Sequence, residues 1–191
     1  MANKVKYGLS NVYYAAISST DTTGAVTYSN PVRIPGAVNL SLEAQGDNEP
    51  FYADNIKYYI SSNNSGYSGD LEVALIPDSF RKDILGEVLD SNGVYLEDVD
   101  AQATPFALLF QFEGDEKGTR HVIYNCTATR PSVEGATKED TTEVQTETLS
   151  IECASVFNAA INKNLVKARC LNSSATSTTY EAWFSSVYQT Q

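Results

Sequence analysis

Residues Ser65–Gly86, SGYSGDLEVALIPDSFRKDILG, hold a turn, a strand and one short helix, in that order. Gly66 and Gly69 fall in a polar cluster and can take the positive φ that tight turns need. Leu71, Val73 and Leu75 then alternate with Glu72 and Ala74, the period of a strand with one buried face. Pro77 closes that strand. Asp78 or Ser79 can offer an oxygen to the orphan N–H groups that begin a helix. Phe80 and Ile84 are four apart and share one helix face, while Arg81, Lys82 and Asp83 point elsewhere. Gly86 is placed to end the helix in the left-handed conformation. So few residues cannot offset the cost of helix nucleation, so Phe80 and Ile84 are expected to pack against the rest of the fold.

The sequence on either side reads almost wholly as β. VKYGLSNVYYAAI is a strand that ends in the turn cluster SSTDTTG. Pro31 and Pro35 confine the next segment to an edge or a loop. Val38, Leu40 and Leu42 alternate with Asn39, Ser41 and Glu43, a strand with one wet face, and NEPFYADNIKYYISS reads as its partner across a turn near GDNE. EVLDSNGVYLEDV is a hairpin about DSNG. Phe106, Leu108, Phe110 and Phe112 alternate, EGDEKG turns, and a second run returns with Val122, Tyr124 and Cys126 on one face. VQTETLSIECAS is a further strand, with Leu149, Ile151 and Cys153 opposite Thr148, Ser150 and Glu152. ASVFNAAINKNLVKA reads as helix or loop, and TSTTYEAWFSSVY as a short C-terminal helix. Short strands at regular spacing with a stray helix predict a mainly β fold, an antiparallel sandwich or barrel with long loops or arms.

Length and composition narrow the function. A chain of 191 residues suits one domain and can bury roughly 70% of its unfolded surface. With 13 Lys and Arg against 24 Asp and Glu, the net charge is −11. Such a surface repels nucleic acid, because gripping phosphates needs clustered cations; a channel past which DNA must slide would carry the same sign. The N-terminus has no apolar signal-like run, and no stretch is long and apolar enough to span a bilayer. Cys126, Cys153 and Cys170 lack metal-ligand spacing and read as reduced thiols.

Catalytic signals are weak. His121 is the single histidine, so any triad or zinc site would have to be built around it, and its strand context favours a structural role. The acidic turns do not fit a calcium loop, and no phosphate-binding or nucleophile-elbow motif occurs. No enzyme, metal or cofactor is expected. Two features stand out: the small, polar face of the GAVNLSLEAQG and VQTETLSIEC strands, with Glu43, Glu147 or Glu152 as its charges, and the long loops STDTTG, NPVRIPGA and RPSVEGATKEDTTE.

KVKYGLSNVYYAAI, IPGAVNLSLEAQGDNEPFYADN, SGYSGDLEVALIPDSFRKDILG and RPSVEGATKEDTTEVQTETLSIE, in this order, resemble the major tail proteins, or tail tube proteins, of long-tailed siphophages of Gram-positive hosts. The resemblance runs from about Lys4 to Cys153, and GYSG…LEVALIP followed by FRKDILG is its most specific element. It implies a β-sandwich flanked by a short helix, hexameric rings stacked into a hollow tube, and a negatively charged lumen that conducts DNA without specific binding. It also implies tape measure, tail terminator and distal tail proteins as partners, assembly in the host cytoplasm, a place in the virion tail and no membrane. One domain over 1–191 is expected, with an N-terminal strand or arm to about 35, a sandwich core over 36–155 and a C-terminal segment over 156–191. Asn39, Ser41, Glu43, Thr148, Ser150 and Glu152 are the lumen-lining candidates. Arg33, Glu134, Lys138, Glu139 and Asp140 are the candidates for contacts between rings. The readings from other classes are a carbohydrate- or protein-binding sandwich of a phage adhesin, in which exposed tyrosines would stack on sugars, and the tube of a tail-like bacteriocin.

Overall fold

The computed structural model describes residues 5–116, 118–137 and 144–190. In chain order the strands are β1 (Tyr7–Thr20), β2 (Val26–Tyr28), β3 (Val32–Arg33), β4 (Ala37–Gln45), β5 (Asn48–Ala53), β6 (Ile56–Ser62) and β7 (Gly66–Val73). Helix α1 (Asp78–Asp83) follows, then β8 (Val88–Leu89), β9 (Tyr95–Leu96), β10 (Phe106–Glu113), β11 (Arg120–Ala128) and β12 (Glu147–Ala154). The chain ends with β13 (Val156–Asn158), β14 (Lys163–Leu165), β15 (Lys167–Cys170) and α2 (Ser177–Ala182). The fold is mainly β and antiparallel, as the alternation predicts, with two short helices.

One sheet organises the molecule, in the order β2-β1-β10-β11-β12-β7-β4, with β3 added to β1 and β15 to β11. It curls so that β4 approaches β1, but β4 pairs only with β7 and the sheet does not close into a barrel. Val12 and Tyr14 from β1, Phe106 and Leu108 from β10, and Leu71, Leu149 and Ile151 from β7 and β12 meet in a first core. A second core lies on the other face of β1, β10 and β11, where Ala107, Leu109, Val122 and Tyr124 pack against Trp183 and the C-terminal strands. Strand β10 is thus buried on both faces. A bulge in β11 makes this arrangement possible: Leu108 pairs with Ile123, but Phe106 pairs with Cys126. The extra residue turns Cys126 into the first core while Val122 and Tyr124 stay in the second, so the three do not share the face expected of them.

Helix α1 closes the first core. Phe80 and Ile84 are fully buried, and the Phe80 ring meets the rings of Tyr14 and Phe106 edge to face, at centroid separations of 5.0 and 5.4 Å. Burying Phe80, Ile84 and Leu85 contributes roughly 2 kcal/mol each, enough to hold a helix that could not form alone. The Tyr14 hydroxyl donates to the Asp83 carboxylate at 3.0 Å, and burial pushes its pKa up to about 12. Glu147 accepts from the Ile76 N–H at 2.6 Å and from Arg81 at 2.9 Å. The helix begins after Pro77 with no side-chain cap, because these tertiary bonds fix its start. Gly86 takes φ +80° beyond its end.

Three further sequence readings are corrected. Leu75 is exposed and Ile76 takes its place in the core, since β7 ends at Val73 and the alternation ends with it. The partner of β4 is β7, not the segment that follows β4; β5 and β6 pair with each other. Asp54 and Asn55 take φ +50° and +60° between them, the two left-handed residues of a tight hairpin turn. Residues 156–170 form the β13–β14 hairpin and β15 rather than a helix or loop.

Candidate functional site

The side chains of β4, β7 and β12 that face away from the core form one polar surface. Because β7 pairs with both neighbours, the register stacks three rows across the strands: Asn39–Glu72–Thr148, Ser41–Asp70–Ser150 and Glu43–Ser68–Glu152. The lumen candidates on β4 and β12 are therefore brought onto one face. The middle strand adds Ser68, Asp70 and Glu72. Period two marks Glu72 as the polar alternate of Leu71 and Val73, but no sequence pattern says which strand lies between β4 and β12.

This surface carries four carboxylates, Glu43, Asp70, Glu72 and Glu152, and these three strands contain no Lys or Arg. Its hydrogen bonds are short and lie across the strands. The Ser150 hydroxyl donates to Asp70 at 2.7 Å, Thr146 to Glu72 at 2.6 Å, and Gln45 to Ser68 at 2.6 Å. Gly66 and Gly69 set the tight spacing of the three strands. A Cβ on Gly69 would meet the Ser41 carbonyl oxygen at 1.9 Å, and one on Gly66 would meet that of Cys153 at 1.9 Å. The GYSG motif thus belongs to a strand squeezed between two neighbours, not to the turn before it. Directly behind the face, Cys126 and Cys153 are register partners with sulfurs 3.2 Å apart, both free and buried.

What this surface can do is physical rather than catalytic. Small hydroxyl and amide side chains keep it low, and uniform negative charge repels phosphates that come within a screening length of about 8–10 Å. The single histidine lies elsewhere. His121 is half-buried, stacked on the Phe110 ring at 5.1 Å, and burial followed by Lys167, Arg169 and Lys6 holds its pKa below the ordinary value.

The ring-contact candidates are scattered. Arg33 sits on β3, exposed, opposite Tyr13 of β1. Glu134 is exposed in the loop after β11 and accepts from Ser132 at 3.1 Å. No ion pair joins the two among the described residues, and Lys138, Glu139 and Asp140 lie outside them.

Sequence reasoning missed a more conspicuous contact device. The β5–β6 hairpin leaves Phe51, Tyr52, Ile56, Tyr58, Tyr59 and Ile60 exposed. Phe51 and Tyr59 are cross-strand partners, so the hairpin presents aromatic surface that stays exposed among the described residues. The Asp-Asn pair flanked by Ala53 and Ile56 is the signal that locates it.

No curated protein matches the sequence. A family model described as phage tail tube protein matches residues 2–183, nearly the whole chain, and the chain belongs to that family.

Proposed function

We propose that this structural tail protein assembles into hexameric rings that stack into a hollow tube, with the β4–β7–β12 face turned to the lumen through which DNA passes. The observation that carries this reading is the face itself: nine side chains on three adjacent strands, four of them carboxylates, with no cation on those strands. A wall that must pass a polyanion gains nothing from binding it, and repulsion over a low, polar surface lets it slide. The sheet also ends at β4, whose outer edge pairs with no strand among the described residues, and there a neighbour's sheet can continue. An open edge of nine residues invites aggregation in a lone subunit and is removed when a ring closes. Tape measure, terminator and distal tail proteins are the partners such a tube implies, with assembly in the host cytoplasm. Exposed aromatic area of the β5–β6 kind marks a protein contact and suits the joints between copies.

The test is electron microscopy of the purified protein, dilute and concentrated, followed by reconstruction of any tube. Hollow tubes with Glu43, Asp70 and Glu152 at the channel wall are expected. Tubes that carry these residues on the outer surface overturn the lumen assignment, and monomers at every concentration overturn self-assembly.

A further inference from the structure

Cations are scarce in this chain, and three that are exposed gather in one place. Lys167 and Arg169 lie on one side of β15, opposite Ile123 and His121 of β11. Lys6 reaches over the Phe112 ring at 4.7 Å and Lys167 over the Tyr67 ring at 4.5 Å. Among the described residues none of the three joins an ion pair. Lys6, Phe112, His121 and Arg169 line a cleft of about 420 Å³. The acid there, Asp115, already accepts from the Thr119 N–H at 3.0 Å. The result is a cationic, aromatic cleft at the Arg120 end of β11.

The opposite end of β11 carries the opposite chemistry. Residues 87–100, which contain the β8–β9 hairpin, hold five carboxylates and no Lys or Arg. Val88, Leu89, Leu96 and Val99 stand exposed among them, Val99 at 83%. The turn is pre-shaped, since the Asp90 carboxylate accepts from the N–H groups of Asn92 and Val94, both at 2.8 Å. Arg130, two residues beyond β11, fastens the segment through Glu97 at 2.9 Å and the Asp98 carbonyl at 2.7 Å. The rise along β11 puts its two ends, Arg120 and Ala128, about 26 Å apart.

We infer that the cleft lined by Lys6 and Arg169, with Lys167 beside it on β15, is the docking site for the acidic β8–β9 hairpin of a second copy of this chain; the inference rests on the tube reading above. The two surfaces are complementary in charge, both offer apolar area, and they lie at opposite ends of one molecule. A two-fold dimer would mate both pairs at once and stop there, whereas a head-to-tail contact leaves a free cleft and a free hairpin to continue. Opposed charges would speed the encounter and fix the register, and assembly would weaken as salt rises.

Charge reversal tests this. Lys167→Glu with Arg169→Glu, or Asp98→Lys with Asp100→Lys, should each raise the protein concentration needed for half-assembly at least tenfold, and all four substitutions in one chain should restore it. Reversals that leave assembly unchanged, or a fourfold variant that folds but is not restored, overturn the docking while leaving the tube reading intact. A wild-type chain that never assembles overturns both. Should a variant fail to fold, carbodiimide cross-linking of wild-type assemblies reads the same contact. Zero-length links from Lys6, which lies over Phe112 at the Arg120 end, to residues 87–100 are expected between different copies. Their absence among other recovered lysine–carboxylate links refutes the contact.

Discussion

The β10–β11 and β5–β6 hairpins share a motif and an aromatic-rich composition but have opposite surroundings. Phe106, Leu108 and Leu109 are fully buried, whereas Phe51, Tyr58 and Tyr59 are 61%, 71% and 63% exposed. Strands β10 and β11 have neighbours on both sides in the main sheet; among the described residues β5 and β6 pair only with each other. Aromatic content marks surface that needs covering, and topology decides whether this chain or another supplies the cover. The first hairpin should therefore govern whether the chain folds, and the second whether copies of it meet.

The largest effect on stability is expected where α1 seals the core beside β10. Phe80→Asp puts a carboxylate among Tyr14 and Phe106 with no cation to meet it, at a cost above about 4 kcal/mol. For a chain of this size that lowers the melting temperature by about 10 °C or more. A variant that melts with the wild type would show that the helix does not seal the core.

How far the sequence discloses this contrast depends on the range of the forces involved. The β10–β11 hairpin is legible because two apolar-rich strands of eight and nine residues flank a glycine-bounded turn, although the bulge in β11 is not. Helix α1 is legible because Pro77 and Gly86 bracket it. The wet face is half legible: alternation gives the polar sides of β4 and β12, but the placement of β7 between them is set by pairing across more than twenty residues of chain. The β5–β6 hairpin is obscured because its residues are as apolar as those of a core strand, and nothing local tells Phe51 that its neighbour is absent. Strands β13 to β15 are three or four residues long and mostly polar, so they hold their shape only through partners such as β11.

A smaller effect is expected at Glu147, which ties β12 to the chain entering α1. Glu147→Ala leaves the N–H of buried Ile76 without its acceptor and frees Arg81, a loss of about 1–3 kcal/mol in urea unfolding. Glu147→Gln keeps an acceptor for Ile76 and should recover about half of that. Equal losses for the two would place the whole effect in the ion pair with Arg81, whose side chains are about a quarter exposed.

His121 should contribute less, and only in acid. Burial first, then Lys167, Arg169 and Lys6, lowers its pKa below 6.5, with Asp115 acting in the opposite sense. Above that pH both the folded and the unfolded chain hold a neutral ring, so nothing is lost. As the pH falls through 6.5 the unfolded chain takes up a proton that the folded one resists, and stability declines until the lowered pKa is passed. His121→Gln should flatten this decline between about pH 6.5 and 5, before carboxylates titrate. An identical slope in the variant would assign the acid sensitivity to other groups.

The smallest effect on the single chain is expected at the most aromatic part of its surface. Phe51→Ser with Tyr59→Ser removes a cross-strand pair that is more than half exposed on both sides, so the unfolding free energy of the monomer should stay within about 0.5 kcal/mol. Self-association, measured by sedimentation at rising concentration, should weaken sharply in the same variant, because the apolar area it deletes is exposed among the described residues. A fall of several degrees in melting temperature with association intact would mean that the hairpin folds back on its own subunit, and the contrast with β10–β11 would disappear. An isolated two-stranded hairpin is marginally stable in water. Its left-handed Asp54–Asn55 turn can hold the strands in register, but aromatic surface kept on so slight a support should gain order once another chain covers it.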